Sequence, residues 1–588
     1  MKLELLDWII IASYFVISLL IGLFYTKRAG KNISEFFVSG RNVPWWLAGT
    51  SMVATTFAAD TPLAVAGLVV SNGVAGNWLW WNFVMGGMLT VFFYARLWRR
   101  SEVLTDIEFT ELRYGGRPAA LLRGFRALYL GLPINSIIMG WVTLAMAKIL
   151  GLTMGIDRWQ AIIFCFGVTA VYSLLSGLWG ILVTDAFQFV WAMIGCIALA
   201  VFALDTVGGI DGLKAALEIQ HPGGVEQILS MTPALNSPWM PISTFLVFIS
   251  VSWWASWYPG AEPGGGGYVA QRVFAARTEK DSLLATLWFT IAHYAIRPWP
   301  WIIVALVAMV RYTKLADPET GYIKVMIDVL PFGWRGLMLA AFAAAYMSTI
   351  STHLNWGTSY LINDFYKRFL KPEASDSHYV WVSRIVTIFV MLLAGLATSQ
   401  LTSIQGAWQL LLAIGAGTGP VYLLRWYWWR INAWSEISAQ AAAFGSYLIT
   451  QSVFHLNTDK PDEFAQSLLI SVAITTTVWV IVTFITEPES DEVLEKFYRK
   501  VHPEGPGWTV IAQKLGMPPG ESLWPTAFNW LCGVVLVYGA LFGIGKLIFK
   551  EWLAGGSYLG IAALSGVVLL RTFKGFSVTT MPQPASEE

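Results

Sequence analysis

The sequence predicts an all-α polytopic membrane protein. Three observations carry that reading. Mean hydropathy is +0.57 over 588 residues. Charged residues make up 13%, against roughly 25% in a soluble chain. Apolar stretches of at least ~18 residues recur along the whole length and give about fifteen transmembrane helices. A net charge of +1 provides neither a basic face for nucleic acid nor an acidic one. Cys165, Cys196 and Cys532 all lie in apolar runs, which supports neither a disulfide framework nor a thiolate metal site. The six histidines show no metal-ligand spacing.

Taken in order, the first span is 5–26. Lys2, Glu4 and Asp7 stand ahead of its long apolar run and no small-residue cleavage site follows, so it reads as a retained helix and not a signal peptide. The second span, 44–70, is interrupted between Ala54 and Pro62. Asp60 lies there at mid-depth, where a carboxylate costs roughly 2.5–3.5 kcal/mol and needs a partner or a water-filled cavity. Spans 74–98, 120–150, 159–178 and 180–204 follow, the last two separated only by a short turn from Gly177 to Gly180. A polar stretch, 205–239, comes next. Span 240–258 ends early at Trp253, Trp254, Ala255, Ser256, Trp257, Tyr258, Pro259 and Gly260, then meets Glu262, Pro263 and the glycines Gly264 to Gly267. Spans 282–311, 334–368, 379–398 and 404–428 complete this second set.

Four further spans, 434–455, 464–485, 525–548 and 552–571, enclose a second polar stretch at 486–523. Within it, Val493, Leu494, Phe497, Tyr498 and Val501 form an apolar stripe at helical spacing, as in a helix lying on a membrane surface or against the bundle. Neither polar stretch is large enough for a catalytic domain. Basic residues cluster in alternate loops: Lys27, Arg28, Lys31 and Arg41; Arg99 to Arg126; Arg272, Arg277 and Lys280; Lys367, Arg368 and Lys371; Arg425 and Arg430. The positive-inside rule then puts the N-terminus outside and the C-terminus in the cytoplasm of a multi-pass cell-membrane protein.

Between Leu339 and Phe369 a membrane-length helix carries more hydroxyls than an anchor needs, with Ser348 and Thr349 adjacent near its middle. Hydrocarbon offers such groups no water, so they bond to backbone, to a neighbouring helix or to something that passes through. Ala340, Ala341, Ala343, Ala344 and Ala345 permit close approach of another backbone. Oxygen-only ligation on such a helix suits a hard cation; back-bonding to the preceding turn is the alternative.

Two interrupted helices, each first in a five-helix half, are the sequence pattern of a secondary transporter. The halves are 44–204 and 240–430, preceded by an N-terminal helix and loop over 1–43, joined by the loop 205–239, and followed by additional helices over 431–588.

At this point the residues resemble the sodium:solute symporter family, whose members have the LeuT-type 5+5 inverted-repeat fold. The resemblance covers roughly residues 7–505 and rests on an ordered set. Glu35-Phe36-Phe37-Val38-Ser39-Gly40-Arg41, Trp45-Trp46 and Gly49-Thr50-Ser51 come first. Ser176-Gly177-Leu178-Trp179, Thr184-Asp185-Ala186-Phe187-Gln188, Gln271-Arg272 and Ala275-Ala276 follow. Ser348-Thr349, Asn355, Asn363-Asp364-Phe365-Tyr366-Lys367 and Gly419-Pro420 to Arg430 complete it.

The resemblance implies sodium as the coupling ion, bound between core helices 1 and 8 by the carbonyls of Ala54, Phe57 and Ala345 and the hydroxyls of Ser348 and Thr349. Asp185 matches an acidic residue that some relatives use for a second sodium ion, but the serine those relatives carry stands here as Ala345. Similarity to sugar-transporting members implies a solute pocket facing Thr56, Asp60, Thr61, Leu79, Trp80, Phe83, Trp253, Trp254, His293, Trp408 and Leu412, with Trp408 as a gate. Phe83 and Leu412 are apolar, so a galactose-like site is not reproduced.

His293 and Arg297 are four apart on one helix face. They are expected to pair with Asp60, the alternative being an anionic solute. Trp80, Trp253 and Trp254 fall beside the breaks and are expected to stack on a sugar face, hold a quaternary ammonium group or act as gates. The expected activity is sodium-coupled import of a small polar organic solute, a sugar or polyol first. Carriage of an amino acid, carboxylate or quaternary amine is the alternative, as is a non-transporting sensor. Partners are the solute, sodium and the bilayer, with no nucleic acid and a monomer or weak homo-oligomer.

Enzyme readings fail on the residues. Gly543-Ile544-Gly545-Lys546 resembles the end of a phosphate loop, but Ala540 replaces its first glycine and Leu547 its Ser or Thr. Gly415 to Pro420 sits in an apolar span and reads as a hinge or close packing.

Overall fold

The computed structural model describes residues 1–29, 33–221, 224–235, 237–258, 262–458 and 460–575. Lys31, Pro259 and Gly260 therefore lie outside the described residues. The described backbone is helical, with one isolated bridge between Val43 and Ala276. The elements that matter here are α1 (Leu5–Ala29), α2 (Trp45–Thr56), α3 (Asp60–Asn72), α4 (Gly116–Met154), α5 (Arg158–Asp205), α6 (Ile242–Ala255), α7 (Gly267–Ala275), α8 (Glu279–Arg311) and α9 (Trp334–Leu370). They continue with α10 (Asp376–Gln400), α11 (Ile404–Ile414), α12 (Gly419–Tyr427), α13 (Ala433–Ser452), α14 (Pro461–Ile485), α15 (Asp491–Val501), α16 (Trp524–Ile548) and α17 (Trp552–Gly575).

Each expected span contains helical backbone, but 159–178 and 180–204 lie on one helix, so fifteen separate helices are not seen. Among the described residues, nine helices are long and apolar enough to cross a membrane, or up to eleven if two bent pairs each count as one span. Those pairs are α2 with α3, bent by 58°, and α11 with α12, bent by 50°.

The turn expected at Gly177–Gly180 is not seen; helical backbone runs unbroken from Arg158 to Asp205. Of this stretch, Leu178–Asp205 is long and apolar enough to cross a membrane. Arg158 bonds to the Thr398 and Leu401 carbonyls beside the end of α10, and Phe202 packs on Trp334 at the start of α9. Trp179, between them, donates to the Ser39 carbonyl at 2.9 Å.

The polar stretch at 486–523 folds against the bundle. Leu494, Phe497, Tyr498 and Val501, four of the five residues of its predicted stripe, are buried. Trp508 donates to the Trp426 carbonyl at 2.7 Å, and Glu504 pairs with Arg96 at 2.8 Å. The hairpin α16–α17 packs on the stretch 78–94, where Trp530 donates to the Met85 carbonyl and Tyr538 to that of Trp81, both at 2.9 Å.

Candidate functional site

The break between α2 and α3 follows from local chemistry. Pro62 lacks an N–H and is tolerated only in the first turn of a helix, so α3 restarts at Asp60, whose charge suits a helix N-terminus. Phe57 leaves helical geometry at φ −87, ψ 67. The Thr61 hydroxyl spans the gap by donating to the Thr56 carbonyl at 3.1 Å. The second break lies where α6 ends and Ser256 turns extended at ψ 142. Gly264 and Gly265 follow with φ of +77 and +80. A Cβ on Gly265 would lie 2.8 Å from Thr90.

The α2–α3 break and the hydroxyl pair of α9 form one seam. Thr349 Oγ1 lies 2.8 Å from the Thr55 carbonyl and 3.0 Å from that of Ala345. The Phe57 carbonyl accepts no hydrogen bond from the described backbone outside the helices, and the Ala54 carbonyl accepts one from Phe57 N at 3.1 Å. The donor set is all oxygen, as a hard monovalent cation requires. Ser348 donates its proton to Asp185 at 2.6 Å, which leaves its oxygen lone pairs available. Ser51 donates to the second Asp185 oxygen at 2.5 Å, and Arg272 stands 3.5 Å from the same carboxylate. Arg272 also donates to Thr352 at 2.7 Å. Asp185 is thus the acceptor of a buried network with a cation already beside it.

Next to this seam is a cavity of about 80 Å³. Thr56, Asp60, Thr61, Trp80, His293, Arg297 and Trp408 line it, as does Phe83. Thr55 and Thr349 also belong to its wall, so seam and cavity share residues. Trp253 and Trp254 are placed elsewhere. The Trp253 indole donates back to Ile249 and stacks on Trp530; that of Trp254 donates to the Ser250 carbonyl. Both rings turn away because α6 is π-wound over Phe248–Ser252, just before them, which rotates the face that follows. Leu79 and Leu412 are not among the lining residues.

The expected pairing of Asp60 is also absent. Arg297 Nη1 donates to the Val53 carbonyl at 3.2 Å and to Thr56 Oγ1 at 3.1 Å, its Nε donates to the His293 carbonyl at 3.2 Å, and its plane lies over Trp301. His293 Nδ1 is 3.0 Å from Thr56 Oγ1. Among the described residues Asp60 is paired with neither, and its Oδ1 is buried without a hydrogen-bond partner. The cause is a π-helical turn at Ala292–Ile296, just before Pro298 and Pro300, which remove two backbone donors from α8. It swings His293 and Arg297 onto Thr56.

Sequence reasoning did not find His353, Trp141, Tyr258, Tyr268 and Tyr294, which also line the cavity. For His353 the signal was present: it lies four residues after Thr349, hence on the same face of α9. Tyr258 bridges Phe83 and Trp408, with ring centroids 5.9 and 6.1 Å away, and with them forms an aromatic wall.

Comparison with known proteins agrees with this architecture. The sodium:solute symporter family profile matches residues 36–440. The chain is 24% identical over 500 residues to a sodium/glucose cotransporter of Vibrio parahaemolyticus, covering 80% of this chain and 90% of that protein. It is 24% identical over 535 residues to the human sodium/myo-inositol cotransporter 2, covering 83% and 78%. Among solved structures, a sodium-coupled sialic acid symporter in a substrate-bound outward-open state superposes with a TM-score of 0.66 at 21% identity, over 83% of this chain and 99% of that one. The fold is therefore LeuT-like, sodium is the coupling ion, and the protein is a multi-pass membrane transporter and not an enzyme. The chain belongs to the sodium:solute symporter family.

Proposed function

We propose that the protein imports a small polar organic solute together with sodium by alternating access, with the ion bound at the α2–α3/α9 seam by Ala54, Phe57, Ala345, Ser348 and Thr349. The observation that carries this is the shared wall: Thr55 and Thr349 belong both to the seam and to the solute cavity. An ion that orders the unwound segment between Thr56 and Asp60 completes the cavity that Asp60 and Thr61 help to line. Rocking of one helix group against the other then exposes both to the cytoplasm, where sodium is low. The two five-helix halves over 44–204 and 240–430 supply the groups that rock, and Trp408 acts as a gate above the cavity. The basic loops orient the N-terminus outward and the C-terminus inward.

One charge crossing ~100 mV supplies roughly 2.3 kcal/mol, which corresponds to about fifty-fold accumulation of a neutral solute. The curated relatives are named for glucose and myo-inositol, so a neutral polyol is the reading by similarity. The test is a thermal-shift screen of sugars, polyols, amino acids, organic acids and quaternary amines on the purified protein in sodium and in potassium. A ligand that stabilises only in sodium supports coupling. Ligand shifts of equal size in potassium contradict it.

A further inference from the structure

Several polar groups of the cavity wall are committed before any solute arrives, while among the described residues the Trp408 indole N–H is buried without a partner. Thr56 is engaged by His293 and Arg297. Thr61 donates to the Thr56 carbonyl, and Thr55 is 3.1 Å from Thr352. His353 bonds Asn135 at 2.8 Å, and the Trp80 indole donates to Asn77 at 2.9 Å. Two charged groups stand apart from this pattern. Asp60, 2% exposed, has a carboxylate oxygen with no donor. Arg297, 1% exposed, keeps an Nη2 whose single contact is a long 3.4 Å approach to the His293 ring. They are opposite in sign, line one cavity, and do not pair with each other.

We propose that the solute is a small zwitterion, its ammonium group held by Asp60 and its acid group turned toward Arg297, with its carbon skeleton against the rings of Phe83, Tyr258 and Trp408. A neutral polyol would leave the Asp60 carboxylate and the Arg297 guanidinium without a charged partner from the solute. A simple cation would satisfy Asp60 but add to the charge of Arg297, and a simple anion would do the reverse. A zwitterion adds no net charge and neutralises both ends, while aromatic faces suit the ammonium end. This rests on the sodium-coupled reading above.

The experiment measures sodium-dependent thermal stabilisation of the purified full chain by the α-amino acids, γ-aminobutyrate and glycine betaine. Their amino alcohols, deaminated acids, glucose and myo-inositol serve as controls. At least one zwitterion is expected to stabilise, with its cation-only and anion-only analogues at least ten-fold weaker. Asp60→Asn should weaken that zwitterion at least ten-fold and yet raise the melting temperature of the ligand-free protein, because it removes an unpaired buried charge. Stabilisation by glucose or myo-inositol, or by no zwitterion at all, overturns the substrate class. A ligand-free Asp60→Asn protein that melts lower than wild type overturns the premise that Asp60 is unpaired. Zwitterion shifts that are the same size in potassium leave the class standing and contradict sodium coupling instead.

Discussion

The Ser348 hydroxyl donates to Asp185 at 2.6 Å, while its neighbour Thr349 donates to the Thr55 carbonyl of the broken helix at 2.8 Å. Adjacent hydroxyls on one helix thus serve two different partners, and only one of them belongs to the solute cavity. Arg272 already places a positive charge 3.5 Å from Asp185. A second sodium ion at that carboxylate would sit against the guanidinium. The expected sodium dependence of solute binding is therefore hyperbolic, with a Hill coefficient near 1. A clearly sigmoidal sodium titration in detergent would show that Asp185 takes an ion despite Arg272.

Glu436 is fully buried between Arg126 and Arg425, each 3.2 Å away, and accepts from the Tyr114 hydroxyl at 2.7 Å. It ties α4 and α12 to α13. Glu436→Ala leaves two buried cations without their partner and should cost roughly 3–5 kcal/mol, read as a lower melting temperature. Glu436→Gln, which keeps an acceptor, should cost less. Equal losses in the two variants would mean the charge contributes little.

The break between α11 and α12 is set by close packing, as Gly415 to Pro420 suggested. Gly417 N donates to the Ala255 carbonyl at 2.8 Å, and a Cβ on Gly419 would sit 2.0 Å from the Trp254 carbonyl. That atom is backbone and cannot step aside. Gly419→Ala should destabilise by about 1–3 kcal/mol or more, whereas Gly445→Ala on α13, with open space around it, should be neutral or stabilising by up to about 1 kcal/mol. Equal melting temperatures for the two variants would refute the packing argument.

Glu111 lies outside the membrane spans, on the short helix Phe109–Arg113 before α4. Burial pushes its carboxyl up, but hydrogen bonds from Arg368 and Arg123, with their charges, hold it below its usual range. A pKa lower in the folded than in the unfolded chain means the folded protein binds fewer protons near that pH. The contribution is present above about 4.3, the ordinary glutamate value, and is lost as pH falls through the lower folded value. The stability advantage of wild type over Glu111→Gln should accordingly hold from pH 7 to about 5 and shrink as pH falls below about 4. An advantage that stays constant through that fall would contradict the ion-pair cause.

Much of this architecture was legible because membrane chemistry is severe. Hydrophobic stretches and the pairing of Asp60 with Pro62 announced the spans and the first break, and the Ser348–Thr349 pair announced the oxygen-rich seam. What escaped depends on helix rotation. Trp253 and Trp254 adjoin a break in the sequence, but the π-wound turn before them carries both rings off the cavity. His293 and Arg297 share a helix face, yet a π-turn ahead of Pro298 sends them to Thr56 and leaves Asp60 alone. Spacing counts residues; it does not register the extra residue in a turn. Arg272 was legible only as part of a motif, because its partner Asp185 is 87 positions away in sequence.

The central claim is that Ser348 and Thr349 hold the coupling ion beside the solute cavity. Equilibrium binding of radioactive sodium to the purified wild-type protein and to the Ser348→Ala/Thr349→Ala double variant, at constant ionic strength with potassium as replacement, tests it most directly. Saturable binding near one ion per chain in wild type, weakened at least ten-fold in a variant that still purifies as a folded protein, is the predicted result. Sodium binding of unchanged affinity in the double variant would contradict the account.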